Sequence, residues 1–174
     1  MDKDTVNYDQ IRYEGFGPAG TSIIVEALTD NRNRTASNVR STFQKFGGSL
    51  GETGSVSHAF KHYGFLKFNK DITTEDEFFN FSIENGAEDC FLEEDEYETV
   101  CLPDALSKFY DLLASKFGEP VSSGFQWRPN ILVKVEGDRL KSLINLINEL
   151  DSDEDVQHIF SNFEASDEEL SRIA

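Results

Sequence analysis

A cluster of basic and amide side chains stands at the predicted start of a helix, in the run Asp30-Asn31-Arg32-Asn33-Arg34-Thr35. The free N–H groups and the partial positive charge of a helix N-terminus suit a phosphate group. Two further basic residues follow on the same helix, and the glycines after it let a backbone approach closely. We therefore predict a nucleic-acid-binding surface made by Asn31, Arg32, Asn33, Arg34, Arg40, Lys45, Gly47 and Gly48.

A second interpretation of the same run needs no ligand. Asp30 and Glu26 stand close to the arginines in the sequence. Arg32 and Arg34 could pair with these two carboxylates and simply stabilise the fold. The residues alone leave both interpretations open.

Catalytic and metal-binding patterns are weak in this chain. It has neither a Gly-x-x-x-x-Gly-Lys nor a Cys-x-x-Cys motif. His58 and His62 have the spacing of metal ligands on a helix, but on the strand predicted here four residues span about 13 Å. We therefore expect a protein that is not an enzyme and that binds no metal and no cofactor.

The charge of the chain is divided between two regions. Residues 12–70 hold eight basic and four acidic side chains, whereas residues 71–111 hold one basic and fourteen acidic side chains. The most acidic run, made of Glu93, Glu94, Asp95 and Glu96, is expected at the tip of a hairpin. Such a tip is either a solvated turn that discourages edge aggregation or a docking point for a basic protein partner.

The sequence favours a reducing, cytoplasmic location. No stretch approaches the ~20 apolar residues of a membrane helix, and the first residues are too acidic for a signal peptide. Cys90 and Cys101 flank the acidic run and would lie opposite one another in the hairpin, so a disulfide is conceivable. Reducing compartments disfavour structural disulfides, and we expect two reduced, partly buried thiols.

Apolar periodicity and turn residues predict the elements that must position these side chains. The chain begins with a hairpin of strands 11–14 and 21–28, a helix capped by Thr35 and stopped by Gly47-Gly48, and a strand over 56–60. The middle part is predicted as strand 64–68, helix 74–84, hairpin 89–92 and 98–101, helix 106–117 and strand 122–127. The last part is predicted as strand 131–135, helix 140–150, strand 156–160 and a frayed tail after 164.

The order of these elements indicates an α+β fold with two ferredoxin-like (βαββαβ) domains. Residues 64–129 contain one complete βαββαβ set. Residues 21–62 and 131–163 together give a second. We therefore predict an acidic domain, 64–129, inserted into a discontinuous domain made of 1–63 and 130–174.

Several motifs resemble the YebC/PmpR family. They are Tyr13-Glu14-Gly15-Phe16-Gly17-Pro18, the run from Glu26 through Thr35, Gly47-Gly48-Ser49-Leu50-Gly51 and Gly54-Ser55-Val56. Shorter matches follow at Gly86-Ala87-Glu88-Asp89, Asp155-Val156-Gln157, Asn162 and Ser166-Asp167-Glu168. The resemblance covers essentially the whole chain.

The resemblance implies a non-enzymatic regulator of gene expression. The family is described as bacterial transcriptional regulators and includes a mitochondrial translational activator, so the implied partner is DNA, or ribosomal or transfer RNA on the ribosome. Family members begin with a basic helical domain that has no counterpart before Tyr13, and we expect the present chain to be a fragment. That domain would carry much of the nucleic-acid binding, while the acidic domain could meet a protein partner.

Overall fold

The computed structural model describes residues 6–173, which form ten β-strands and five α-helices. The strands are β1 (Asp9–Phe16), β2 (Ser22–Thr29), β3 (Ser49–Leu50), β4 (Phe60–Asn69), β5 (Asp89–Glu93), β6 (Glu96–Cys101), β7 (Ser122–Pro129), β8 (Val133–Lys134), β9 (Val156–Ser161) and β10 (Phe163–Glu164). The helices are α1 (Arg32–Lys45), α2 (Glu75–Glu84), α3 (Leu106–Phe117), α4 (Gly137–Asp151) and α5 (Asp167–Ile173).

The chain divides into two compact units. The first consists of the described residues up to Lys61 together with those from Pro129 onward, and the second is His62–Arg128. Each unit contains a four-stranded sheet and α-helices. The predicted α+β class with ferredoxin-like domains is confirmed.

The sheet of the first unit is built on the predicted hairpin. Its strand order is β3-β1-β2-β9, and β1 pairs with β2 in antiparallel register from Asp9 opposite Thr29 to Phe16 opposite Ser22. The connecting turn holds Ala19 at φ 64°. This left-handed conformation costs a non-glycine residue about 1 kcal/mol, so the turn is fixed by its surroundings rather than by the preference of Ala19.

The core of the first unit lies where α1 and α4 pack on this sheet. Ile23 and Val25 of β2, Phe43 of α1 and Leu143 of α4 are all fully buried in one cluster. The apolar positions of α1 and α4 recur every three or four residues, which is the pattern that produced both helix predictions. Packing against the sheet therefore fixes the orientation of α1.

Two short strands of this unit were predicted wrongly. Ser57–Ala59 forms a turn of 3-10 helix where a strand was expected, because the backbone N–H groups of Val56 and Ser57 donate to a side chain and are unavailable for a β ladder. In the predicted strand 131–135, only Val133–Lys134 is extended, and it pairs in parallel with Phe163–Glu164.

The expectation of a frayed tail is also wrong. Residues 167–173 form α5, whose Leu170 and Ile173 pack against the core of the first unit. The hydroxyl of Ser166 accepts the N–H of Glu169 at 3.2 Å and so stabilises the start of this helix. The acidic composition of the tail concealed an amphipathic helix.

The second unit follows the predicted βαββαβ order, with its strands arranged as β5-β6-β4-β7. Thr74 is the N-cap of α2, because its hydroxyl accepts the N–H of Glu77. The core is aromatic: the ring centroid of Phe78 lies 4.9 Å from that of Tyr97 and 5.5 Å from that of Phe68. Such ring pairs stabilise a core beyond their buried area.

The register of the β5–β6 hairpin separates the two cysteines. Cys90 lies opposite Thr99, whereas Cys101 lies opposite Gly64 of β4, so the expectation that the cysteines face one another is wrong. The turn at Glu94 and Asp95 sets this register. Both thiols are free, and burial raises the pKa of Cys101 to about 11.

Candidate nucleic-acid interface

Helix α1 begins one turn earlier than predicted, with Asn31 as its N-cap. The Oδ1 atom of Asn31 accepts the backbone N–H of Arg34 at 3.0 Å. Thr35, the predicted cap, is fully buried within the first turn, where its hydroxyl donates to Oδ2 of Asp155 at 2.8 Å. The prediction failed because Thr35 bonds a distant carboxylate rather than the free N–H groups of its own helix.

Arg34 is held by two carboxylates. Its Nη2 atom lies 2.8 Å from Oδ1 of Asp30 and 3.1 Å from each oxygen of Asp155. The Thr35 hydroxyl, and next to it Arg34, hold the pKa of Asp155 below its ordinary value. Arg34 therefore links the start of α1 to the loop before β9. Asp30 is a partner of Arg34, as the ligand-free interpretation expected, but the second partner is Asp155 and not Glu26.

Lys45 lies on the same side of α1 and is also paired. Its Nζ atom is 3.8 Å from Oε1 of Glu149 on α4. Arg34 and Lys45 line an open groove of about 1010 Å³ whose other wall carries Asp153 and Glu154. Carboxylates outnumber cations in this groove, so it repels phosphate.

The other predicted basic residues lie elsewhere on the helix. Asn33 and Arg40 are exposed and seven residues apart, which places them on one face of α1. Within residues 6–173, Arg40 forms no ion pair, whereas Arg32 in the first turn is 64% exposed and 3.7 Å from Asp9. The structure therefore separates Arg32, Asn33 and Arg40 from Arg34 and Lys45.

The two predicted glycines end α1 and return the chain to the sheet. Gly47 adopts φ 80°, a left-handed conformation typical of the residue after a helix. The N–H of Gly48 donates to the carbonyl of Phe43 at 2.8 Å, and a Cβ on Gly48 would lie 2.4 Å from the carbonyl oxygen of Phe16. The close backbone approach at Gly48 is therefore to β1 of the same chain.

Glu14 organises the loop that follows β3, a role that sequence reasoning missed. Its carboxylate is 1% exposed and accepts the backbone N–H groups of Gly54 at 2.8 Å, Val56 at 3.1 Å and Ser57 at 2.7 Å. Burial raises the pKa of Glu14, but these three donors, together with the Arg12 guanidinium 3.4 Å away, outweigh it, so the net pKa lies below the ordinary value. An acidic residue in an otherwise half-buried strand was the signal that could have revealed it.

The acidic hairpin tip is exposed and partly paired. Glu93 and Asp95 are 62% and 83% exposed. Lys70 contacts Asp95 at 3.0 Å, and Arg128 lies 4.0 Å from Glu93. The structure brings Glu93, Glu94, Asp95 and Glu96 together at the turn between β5 and β6, as a negative surface of the second unit.

The histidines are dispersed among different environments. His58 lies in the 3-10 turn, His62 stacks on Trp127 with ring centroids 4.4 Å apart, and His158 is on β9. In the part of the chain that the structure describes, no group of three His, Cys, Asp or Glu side chains is arranged to hold a metal ion.

One serine matches a hydrolase pattern that the sequence analysis overlooked. Gly47-Gly48-Ser49-Leu50-Gly51 fits Gly-x-Ser-x-Gly, which in hydrolases forms a strained turn from a strand into a helix. Here the order is reversed, because Ser49 follows α1 and begins β3. The match is therefore one of spacing without the geometry that activates a nucleophile.

Among the helices of residues 6–173, none is long and apolar enough to cross a bilayer.

Comparison with known proteins gives two matches that extend over most of the chain. A family model described as "TACO1/YebC second and third domain" matches residues 8–163. A conserved hypothetical protein from Aquifex aeolicus, known from its crystal structure, is similar over 95% of this chain and 69% of its own, with 32% sequence identity and a TM-score of 0.85.

Proposed function

Because the chain belongs to the TACO1/YebC family, whose model bears the name of a transcriptional regulator, we propose that it regulates gene expression by binding nucleic acid through exposed residues of α1. The contact residues are Arg32, Asn33 and Arg40. The protein acts without catalysing a reaction, either on DNA as a transcriptional regulator or on ribosomal or transfer RNA as a translation factor.

The observation that carries this proposal is the division of charge on α1. Arg40 has no carboxylate partner within residues 6–173, and the Asp9 partner of Arg32 is itself 52% exposed. Exposed, weakly paired arginines remain available to phosphate oxygens, and Arg32 has in addition the free N–H groups of the helix start beside it. Asn33 adds an amide that can donate to phosphate or to a base edge.

Arg34, Lys45 and the two glycines support this surface rather than contact the ligand. A phosphate would have to displace two carboxylates from Arg34, one of them only 16% exposed. Asn31 has a similar structural role, since its side chain already caps the helix. Asn31 and Arg34 hold the first turn of α1 in place, whereas Lys45, Gly47 and Gly48 fix its other end.

A binding experiment tests the proposal. Replacement of Arg32 and Arg40 together by glutamine is expected to weaken binding about tenfold and to lower the slope of log affinity against log salt by about 1.5, because two phosphate contacts are lost. Fluorescence anisotropy with an RNA hairpin and a DNA duplex of equal length measures both quantities and shows which nucleic acid is preferred.

The matched control replaces Arg139 and Arg172, which are exposed on α4 and α5, by glutamine. This variant has the same net charge as the test variant and is expected to bind normally. Equal weakening in both variants would mean that only total charge matters, and the α1 site would then be abandoned.

The acidic hairpin tip supports a second candidate function, the docking of a basic protein. We propose this because the second unit holds five basic against fifteen acidic residues and presents Glu93, Glu94, Asp95 and Glu96 at one turn. Changing all four to glutamine or asparagine is expected to reduce the capture of purified basic ribosomal proteins several-fold at low salt. Capture that is unchanged by the four substitutions would rule out this tip as the contact.

A further inference from the structure

An aromatic row lies along the edge of the second unit's sheet. Phe125 and Trp127 are two residues apart on β7 and therefore face the same side. The His62 ring on the neighbouring β4 stacks on Trp127 and lies 5.8 Å from the ring of Phe125. Phe125 nevertheless remains 50% exposed.

A groove of about 360 Å³ separates Phe125 from the start of α3. Its apolar wall is formed by Pro103, Leu106 and Tyr110. Two carboxylates, Asp104 and Asp111, stand at its rim. The groove therefore offers a site for one apolar side chain beside two negative charges.

Strand β7, which carries Phe125, offers backbone hydrogen bonds as well. In the described sheet, β7 is an edge strand whose one strand neighbour is β4. An extended peptide can add to such an edge through its main chain, while its alternate side chains enter pockets beside the strand. The groove at Phe125 is placed where such a side chain would arrive.

We propose that this surface, defined by β7 and the groove between Phe125 and α3, binds an extended segment of a basic protein. Charge decides the kind of partner: the second unit is strongly acidic, so RNA and DNA are repelled and lysine or arginine is attracted. A second copy of this chain is disfavoured too, since each carries a formal charge of −17. The bound segment places an aliphatic side chain against Phe125 and Tyr110 and a basic side chain near Asp104 and Asp111.

The test uses the 174-residue chain and two ten-residue peptides. One alternates lysine with valine, and the other alternates glutamate with valine. Trp127 is the sole tryptophan of the sequence and lies in the aromatic row, so its fluorescence reports binding directly. We expect the lysine peptide to change the emission of Trp127 saturably and the glutamate peptide to leave it unchanged.

Three variants locate the contact. Phe125→Ser removes the exposed ring, and Ser107→Arg adds a positive charge beside Asp104 and Asp111. Each is expected to weaken binding of the lysine peptide about tenfold. Glu84→Gln, at the exposed end of α2 and outside both the groove and the hairpin tip, is the control and is expected to bind normally. The amide NMR spectrum of each variant verifies that the fold is intact, which is expected because both groove positions are exposed.

Four results would overturn the proposal: no response to the lysine peptide, an equal response to the glutamate peptide, full binding by both folded groove variants, or a response to a ten-nucleotide RNA instead of peptide. The result of the peptide experiment does not depend on the α1 site, because replacing Arg32 and Arg40 leaves the groove unchanged.

Discussion

Replacing Glu14 by glutamine is expected to lower the free energy of unfolding by about 3 kcal/mol. The glutamine keeps the volume of the buried side chain, but its NH2 group would face the N–H donors of Gly54, Val56 or Ser57. A buried donor without an acceptor costs about 1–3 kcal/mol, and hydrogen bonds to a charged group are the stronger kind. Urea unfolding followed by circular dichroism measures the loss.

The same substitution should remove part of the acid sensitivity of the protein. Because the pKa of Glu14 is lowered in the folded state, its contribution is complete above the unfolded value of about 4.3. The contribution is lost as the pH falls below that value and through the folded pKa. The stability difference between the native protein and the variant should therefore shrink as the pH falls below about 5 and through the folded pKa of Glu14.

Glu52→Gln is the control for this experiment. Glu52 lies in the same loop but is exposed, so its substitution should change stability by less than about 0.5 kcal/mol. A Glu14 variant as stable as the Glu52 variant would show that the three backbone donors find water when the carboxylate is neutralised. The loop would then not depend on Glu14.

Asp155→Asn is expected to lower the free energy of unfolding by about 2 kcal/mol. Asp155 is mostly buried and accepts bonds from both Thr35 and Arg34, so neutralisation weakens two charge-assisted contacts at once. Asp30→Asn removes the other, more exposed partner of Arg34 and should cost less than about 0.5 kcal/mol. Comparison of the two variants in urea measures how firmly Arg34 is anchored.

The outcome also bears on nucleic-acid binding. If Asp155→Asn proves as mild as Asp30→Asn, Arg34 is held loosely and regains its place among the phosphate-binding residues. If Asp155→Asn lowers stability more than Asp30→Asn, as expected, Arg34→Gln should reduce stability and should affect binding only through the position of α1.

Most of the regular elements could be predicted because their patterns are local. The periodic apolar positions of α1, α4 and α3, and the continuous β-rich apolar run of β2, depend on neighbours within a few residues. The predictions failed where a distant side chain replaces a local bond. Glu14 takes the N–H groups that a strand over 56–60 would need, and Asp155 takes the hydroxyl of Thr35.

The candidate site shows the same limit. Its residue types and its helix could be predicted, but sequence spacing does not reveal which arginine meets a carboxylate more than a hundred positions away. Arg34 and Arg40 are alike in sequence terms. In the fold, Arg34 is held by Asp155, whereas Arg40 has no ion partner within residues 6–173.

The pairing of β2 with β9 joins Ile23 to Ser161, so the first sheet is completed by residues near the end of the chain. The second unit, by contrast, is one continuous stretch, His62–Arg128. During synthesis by the ribosome the second unit can therefore fold while the hairpin of β1 and β2 still lacks its neighbour. One edge of β2 then stays unpaired until β9 emerges, and an unpaired strand edge exposes the nascent chain to aggregation and to chaperones.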